Sequence, residues 1–157
     1  MVFRLWIVIG VTMYDTILLP TDGSDNAQLA TEHALSMADH HNAELHVLYV
    51  AEKTRDDPEQ KGLEEKLAEE TNKGRDIVEE VEKQATNENI GTETVVERGV
   101  PRTTIEDYAA ENDVGLIVIG STGADSVAEQ LLGTVSKYIV NEAPADVFIV
   151  RPDTLLS

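Results

Sequence analysis

The chain has 157 residues, no cysteine, and thirty acidic residues against twelve basic ones, a net charge of −18. That length suits one domain with a continuous core, and the missing cysteine excludes disulfides and thiolate metal centres. The charge repels phosphate backbones and anionic lipid, which sets aside nucleic acid and membrane surfaces as partners. Self-repulsion of this size is tolerable where salt screens it, the Debye length falling to about 3 Å at 1 M. A salt-rich cytoplasm is therefore the expected setting. His33, His40, His41 and His46 are too few and too awkwardly spaced in the chain to announce a metal cluster, and the adjacent pair His40-His41 points to different sides of a helix.

Residues 1–12 (MVFRLWIVIGVT) hold a short apolar run, well under the about 20 residues a bilayer crossing needs, and no cleavage region of the secretory kind follows. They are expected to be an extension outside the domain, with residues 13–157 forming a single domain from Met13. TILLP at 16–20 is a continuous apolar run of the kind found in strands covered on both faces. It ends at the turn sequence Thr21-Asp22-Gly23-Ser24. Ser24 or Asp25 can cap a helix to about His41, with Leu29, Ala30, His33, Ala34, Met37 and Ala38 on its apolar side.

ELHVLYVA at 44–51 is a second buried-type strand. After a charged loop containing Pro58, a long helix is predicted over 64–87, where Leu63, Leu67, Thr71, Gly74, Val78, Val81 and Ala85 form one narrow stripe. TETVVE at 92–97 alternates like a half-exposed outer strand. Gly99-Val100-Pro101 then opens a helix with proline in its first turn. VGLIVIG at 114–120 is the most apolar strand, 133–141 reads as a helix, and ADVFIV at 145–150 closes the series. Strict strand–helix alternation implies parallel neighbours and right-handed crossovers. The fold class is α/β: a three-layer, doubly wound, Rossmann-like open sheet of five parallel strands with helices on both faces. Ligands of such sheets bind beyond the strand C-termini where the strand order reverses, which directs attention to 21–24, to the residues around 49–52, and to 120–134.

The last of these segments has Gly120-Ser121-Thr122-Gly123, then nine residues, then Gly133-Thr134-Val135-Ser136. Glycines allow close backbone approach, a helix N-terminus offers unpaired N–H groups, and the hydroxyls of Ser121, Thr122, Thr134 and Ser136 add donors for oxygen. On these residues alone a tight turn followed by a helix cap is an equal alternative, and Asp22 can be a turn former before Gly23. Neither a P-loop nor a G-x-G-x-x-G fingerprint is present.

The spacing G-x-x-G, nine residues, G-[ST] resembles the ATP-binding signature of the universal stress proteins. The opening YDTILLPTDGS at 14–24, His46-Val47, Gly99-Val100-Pro101 and the ending APADVFIVRP at 143–152 are also similar to that family. The resemblance implies an adenine nucleotide, ATP or another, as ligand. Pro20, Thr21 and Asp22 would lie at the adenosine, Asp22 meeting the ribose or a phosphate-bound Mg²⁺ or Mn²⁺, and Val47 would face the adenine through its backbone. Gly120, Ser121, Thr122 and Gly123 would border ribose and phosphates, and Gly133, Thr134, Val135 and Ser136 would hold the phosphates. It further implies a stress-response regulatory protein in the cytoplasm, acting as a homodimer paired through the last strand at Val147, Phe148, Ile149 and Val150.

One departure stands out: many ATP-binding members carry a basic residue after the second glycine, where this chain has Ala124-Asp125. No catalytic residue is assigned, because no nucleophile–base arrangement or cation for a leaving phosphate stands out; slow ATP hydrolysis is the most that Asp22 and a metal could support. The alternative function is a nucleotide-free dimeric scaffold of the same fold. A response regulator is rejected, since Gly120-Ser121 and Arg151-Pro152 stand where it needs a phosphorylatable aspartate and a lysine.

Overall fold

A computed structural model describes residues 13–52, 62–122 and 132–152. The elements are β1 (Thr16–Pro20), α1 (Asp25–His41), β2 (Glu44–Glu52), α2 (Leu63–Asn87), β3 (Thr92–Gly99), α3 (Pro101–Glu111), β4 (Leu116–Gly120), α4 (Thr134–Glu142) and β5 (Asp146–Val150). All strands pair in parallel, in the order β3-β2-β1-β4-β5. The expected five-stranded, doubly wound sheet is the one observed.

Successive side chains of a strand point to opposite faces, and the two halves of the core follow from that alternation. On one face Ile17, Leu19, Leu45, Val47, Leu116 and Val118 pack against α1 and α2. On the other, Leu18, Leu48, Ile117 and Ile119 pack against Ile105 and Tyr108 of α3 and Ile139 of α4. β1 and β4 lie inside the sheet, which is why their apolar runs show no polar alternation, whereas edge strand β3 is half-buried along its length.

α1 starts where the Ser24 side chain accepts a hydrogen bond from Ala27 N–H and stops at Asn42 in the left-handed region, φ 52°. Its buried face is Ala27, Ala30, Thr31, Ala34, Leu35 and Ala38, rotated from the expected one. His33 is exposed, and Leu29 and Met37 only flank the core. Alanine at four of the buried positions lets the helix lie close to the sheet, so Thr31 and Leu35 fill the space and Thr31 returns its hydroxyl to Ala27 O at 2.9 Å. The α2 stripe lands as expected on Leu67, Gly74, Val78, Val81 and Ala85. Among the described residues no helix is long and apolar enough to cross a membrane. The extension at 1–12 lies outside the described residues.

Candidate functional site

The chain leaves β1 for β2 on one side and returns through β4 on the other, so the loops after β1 and β4 diverge and open a crevice. A cleft of about 650 Å³ lies there, lined at its floor by Pro20, Thr21, Ile119 and Gly120. That volume suits a small cofactor.

Each wall follows from local chemistry. After β1, Thr21 N–H donates to Leu48 O at 2.9 Å, carrying the sheet one residue further. The Thr21 hydroxyl accepts from Gly23 N–H at 3.2 Å and Asp22 Oδ1 accepts from Ser24 N–H at 2.9 Å. Both side chains thus bond the backbone two residues on, which fixes the turn and sets the exposed Asp22 carboxylate on the rim.

After β4, Ser121 N–H donates to Val150 O at 2.8 Å and Gly133 N–H donates to Ser121 O at 2.7 Å. The Ser136 hydroxyl donates to Gly120 O at 2.7 Å. Together these bonds draw the start of α4 to the end of β4. Gly133 precedes α4 and offers no side chain to cap it, so the first-turn N–H groups of Thr134, Val135 and Ser136 have no acceptor within the helix. They carry the positive end of the helix dipole at the cleft wall. Opposite, the Asn26 side-chain amide donates to Thr122 O at 2.7 Å and to Thr122 Oγ1 at 3.0 Å. A Cβ on Gly120 would sit 3.0 Å from that amide nitrogen, so any larger residue there obliges Asn26 to shift.

Most of the sequence-predicted residues meet here: Pro20, Thr21, Asp22, Gly120, Thr122, Gly133, Thr134, Val135 and Ser136 all line the cleft. Three expectations change. Val47 is fully enclosed in the core, because its register partner is Leu19, short of the sheet's C-terminal edge. The part of β2 that reaches the cleft is Leu48, Tyr49, Val50 and Glu52. Ser121 is 0% exposed, its hydroxyl has no hydrogen-bond partner among the described residues, and it is not among the residues lining the cleft. Ser136 has already committed its hydrogen to Gly120 O and Gly133 its N–H to Ser121 O, so the donors left at the start of α4 are the first-turn amides and the Thr134 hydroxyl. Gly123, Ala124 and Asp125 lie outside the described residues.

Of the other lining residues, Tyr49 and Glu52 fall in the segment around 49–52 that the strand ends single out, whereas Glu70 and Lys73 have no signal in the sequence. Tyr49 donates its hydroxyl to Glu70 Oε2 at 2.6 Å, and its pKa is raised, first by burial and then by that bond. Glu52, Glu70 and Lys73 join Asp22 around the cleft. Lys73 precedes Gly74 of the buried α2 stripe, a position that helical periodicity assigns to the solvated flank. Asp22 belongs to no group of three or more His, Asp or Glu donor atoms among the described residues. A cation beside it would complete its shell with water or phosphate oxygens.

Comparison with known proteins decides the family. Residues 13–151 match the universal stress protein family. The chain belongs to that family. A universal stress protein of Methanothermobacter thermautotrophicus is 35% identical over 145 residues, 90% of this chain and 98% of the relative. The universal stress protein UspA from Lactobacillus plantarum has a similar structure, with TM-score 0.82, 33% identity, and 88% and 98% of the two chains covered. A universal stress protein solved in complex with cAMP superposes with TM-score 0.69 at 25% identity, covering 88% of this chain and 97% of that one.

Proposed function

We propose that this universal stress protein binds an adenine nucleotide in the β1–β4 cleft and acts in the cytoplasm as a nucleotide-dependent regulator of the stress response. The observation that carries the reading is the N-terminus of α4, which Gly133 gives no side-chain cap, opening on a cleft at the reversal point of the strand order. The first-turn amides of Thr134, Val135 and Ser136 would take the phosphates, beside Gly120, Thr122, Gly123 and Gly133. The β2 end would take the adenine, with Val50 in the role first assigned to Val47. Asp22 would meet the ribose or a Mg²⁺ or Mn²⁺ ion carried by a triphosphate. A relative bound to cAMP supports an adenine ligand. A homodimer formed through edge strand β5, with Val147, Phe148 and Ile149 half-buried, would carry the bound state to partners.

The rim favours a second reading. Asp22, Glu52 and Glu70 face the cleft with Lys73 as the cation among the described lining residues. A negative rim opposes a polyphosphate unless metal or salt offsets it, which is what a nucleotide-free scaffold would tolerate. Titration of nucleotide-free protein with ATP and Mg²⁺, AMP, cAMP and GTP separates the two. Saturable binding of adenine nucleotides over GTP is expected; no binding of any of them by folded protein leaves the scaffold.

A further inference from the structure

We propose that Glu44, His46 and Glu93 form a binding site for one zinc-like divalent transition ion, apart from the nucleotide cleft. The three residues offer one imidazole nitrogen and two carboxylate oxygens, all within 4.8 Å of one another. His46 Nε2 is 2.8 Å from Glu44 Oε1 and 3.6 Å from Glu93 Oε2. Around a tetrahedral zinc, with bonds near 2.0–2.2 Å, such donors stand about 3.4 Å apart. The glutamates are exposed, so small rotations of their side chains close the remaining gap.

The sheet holds the donors in place. His46 is the register partner of Glu93 on the neighbouring strand, and Glu44 lies two residues before His46 on the same face. These positions are in the first halves of β2 and β3, while the cleft is at their C-terminal ends.

His46 itself sets this cluster apart from a patch of surface acids. It is only 6% exposed, and its Nδ1 sits 2.7 Å from the Tyr108 hydroxyl on α3. That contact fixes the ring and aims Nε2 at the carboxylates, as the outer partners of metal-bound histidines do. With Nε2 on an ion, Nδ1–H donates to the Tyr108 oxygen.

Local charge calls for a cation. Glu97 follows Glu93 on the same face of β3, whereas Arg98 falls on the other by strand alternation. Arg102 of α3 is placed over the Tyr138 ring, 5.8 Å from its centroid. One imidazole with two carboxylates suits zinc and its neighbours better than Mg²⁺ or Ca²⁺, which prefer all-oxygen shells. Sequence spacing hides such a site, since Glu93 comes from a separate strand.

The test is titration of chelator-stripped, nucleotide-free full-length protein with Zn²⁺, with Co²⁺ absorption as a second readout of a nitrogen–oxygen site. One equivalent is expected to bind. Glu93→Gln, an exposed change that leaves the fold intact, should weaken binding at least about tenfold, and Tyr108→Phe should weaken it by about tenfold through loss of ring orientation. His46→Gln should abolish it. Absence of binding by the wild type, which would leave His46 with only its contacts to Glu44 and Tyr108, overturns the proposal. So does binding that persists unchanged in Glu93→Gln and His46→Gln, which would place the ion elsewhere, as at His40 and His41.

Discussion

The Tyr49 ring lies so close over α2 that a Cβ on Gly74 would sit 2.3 Å from its Cδ1. The glycine in the middle of α2 is therefore the seat of a side chain that closes one wall of the cleft, held at its far end by Glu70.

Gly74→Ala tests that packing. In an open helix position the change would gain about 1 kcal/mol, but here the methyl meets a buried ring, and overpacking costs about 1–3 kcal/mol. A net loss of about 1 kcal/mol is expected in urea denaturation. In a Tyr49→Ala background, itself less stable because a buried ring is lost, Gly74→Ala should cost less or even stabilise, because the two sites share one contact.

Gly120→Ala should disturb the opposite wall. Its methyl would meet Asn26, whose amide holds Thr122. Stability is expected to fall by about 1 kcal/mol, and the affinity for adenine nucleotide by more than that loss of stability alone would cause. Calorimetry beside a denaturation curve reads both.

Tyr49 sets an alkaline limit. Burial, then the bond to Glu70, push its pKa well above the ordinary tyrosine value, and Tyr108 is pushed up to about 12, chiefly by burial and then by Glu93, Glu97 and Glu44. A raised folded-state pKa means the unfolded chain loses its phenolic proton first. The stability these protons contribute is complete below pH ~10 and lost as pH rises through the folded values. The urea midpoint should fall above pH ~10. In Tyr49→Phe the fall should be shallower; an equally steep fall would show that Tyr49 does not contribute.

The sheet, its five strands and the glycine frame were legible because buried parallel strands are apolar throughout and turn residues bracket them. What stayed hidden depends on register and on third dimensions. Val47 and Val50 look alike in the sequence, and only the pairing of Leu19 with Val47 shows which of them clears the sheet edge. The α1 face is not legible in the sequence because alanines at 27, 30, 34 and 38 leave the hydrophobic stripe weak, and the larger apolar side chains of Leu29 and Met37 shift its apparent centre toward His33. Lys73 lines the cleft from the solvated flank of α2, and Asn26 of α1 acts on it through Thr122, contacts that helical spacing does not reveal.

The net charge of −18 should make the fold salt-dependent. Raising KCl from about 0.2 to about 2 M shrinks the screening length severalfold and is expected to raise the urea midpoint. A midpoint that does not move would contradict adaptation to a salt-rich cytoplasm.

The most direct measurement is calorimetric titration of ATP and Mg²⁺ into the wild type and Gly133→Asp, at about 0.2 and about 2 M salt. Gly133 has φ −66° and ψ 165°, an extended conformation open to any residue, and aspartate there can cap α4 by accepting from its first-turn amides at a gain of a few tenths of a kcal/mol. The variant should be as stable as the wild type while its carboxylate occupies the amides that the phosphates need. Saturable binding by the wild type, tighter in high salt and weakened at least about tenfold in the variant, is the expected result. Equal affinity in the two proteins, or no heat from folded wild type at either salt, would contradict phosphate binding at the α4 N-terminus.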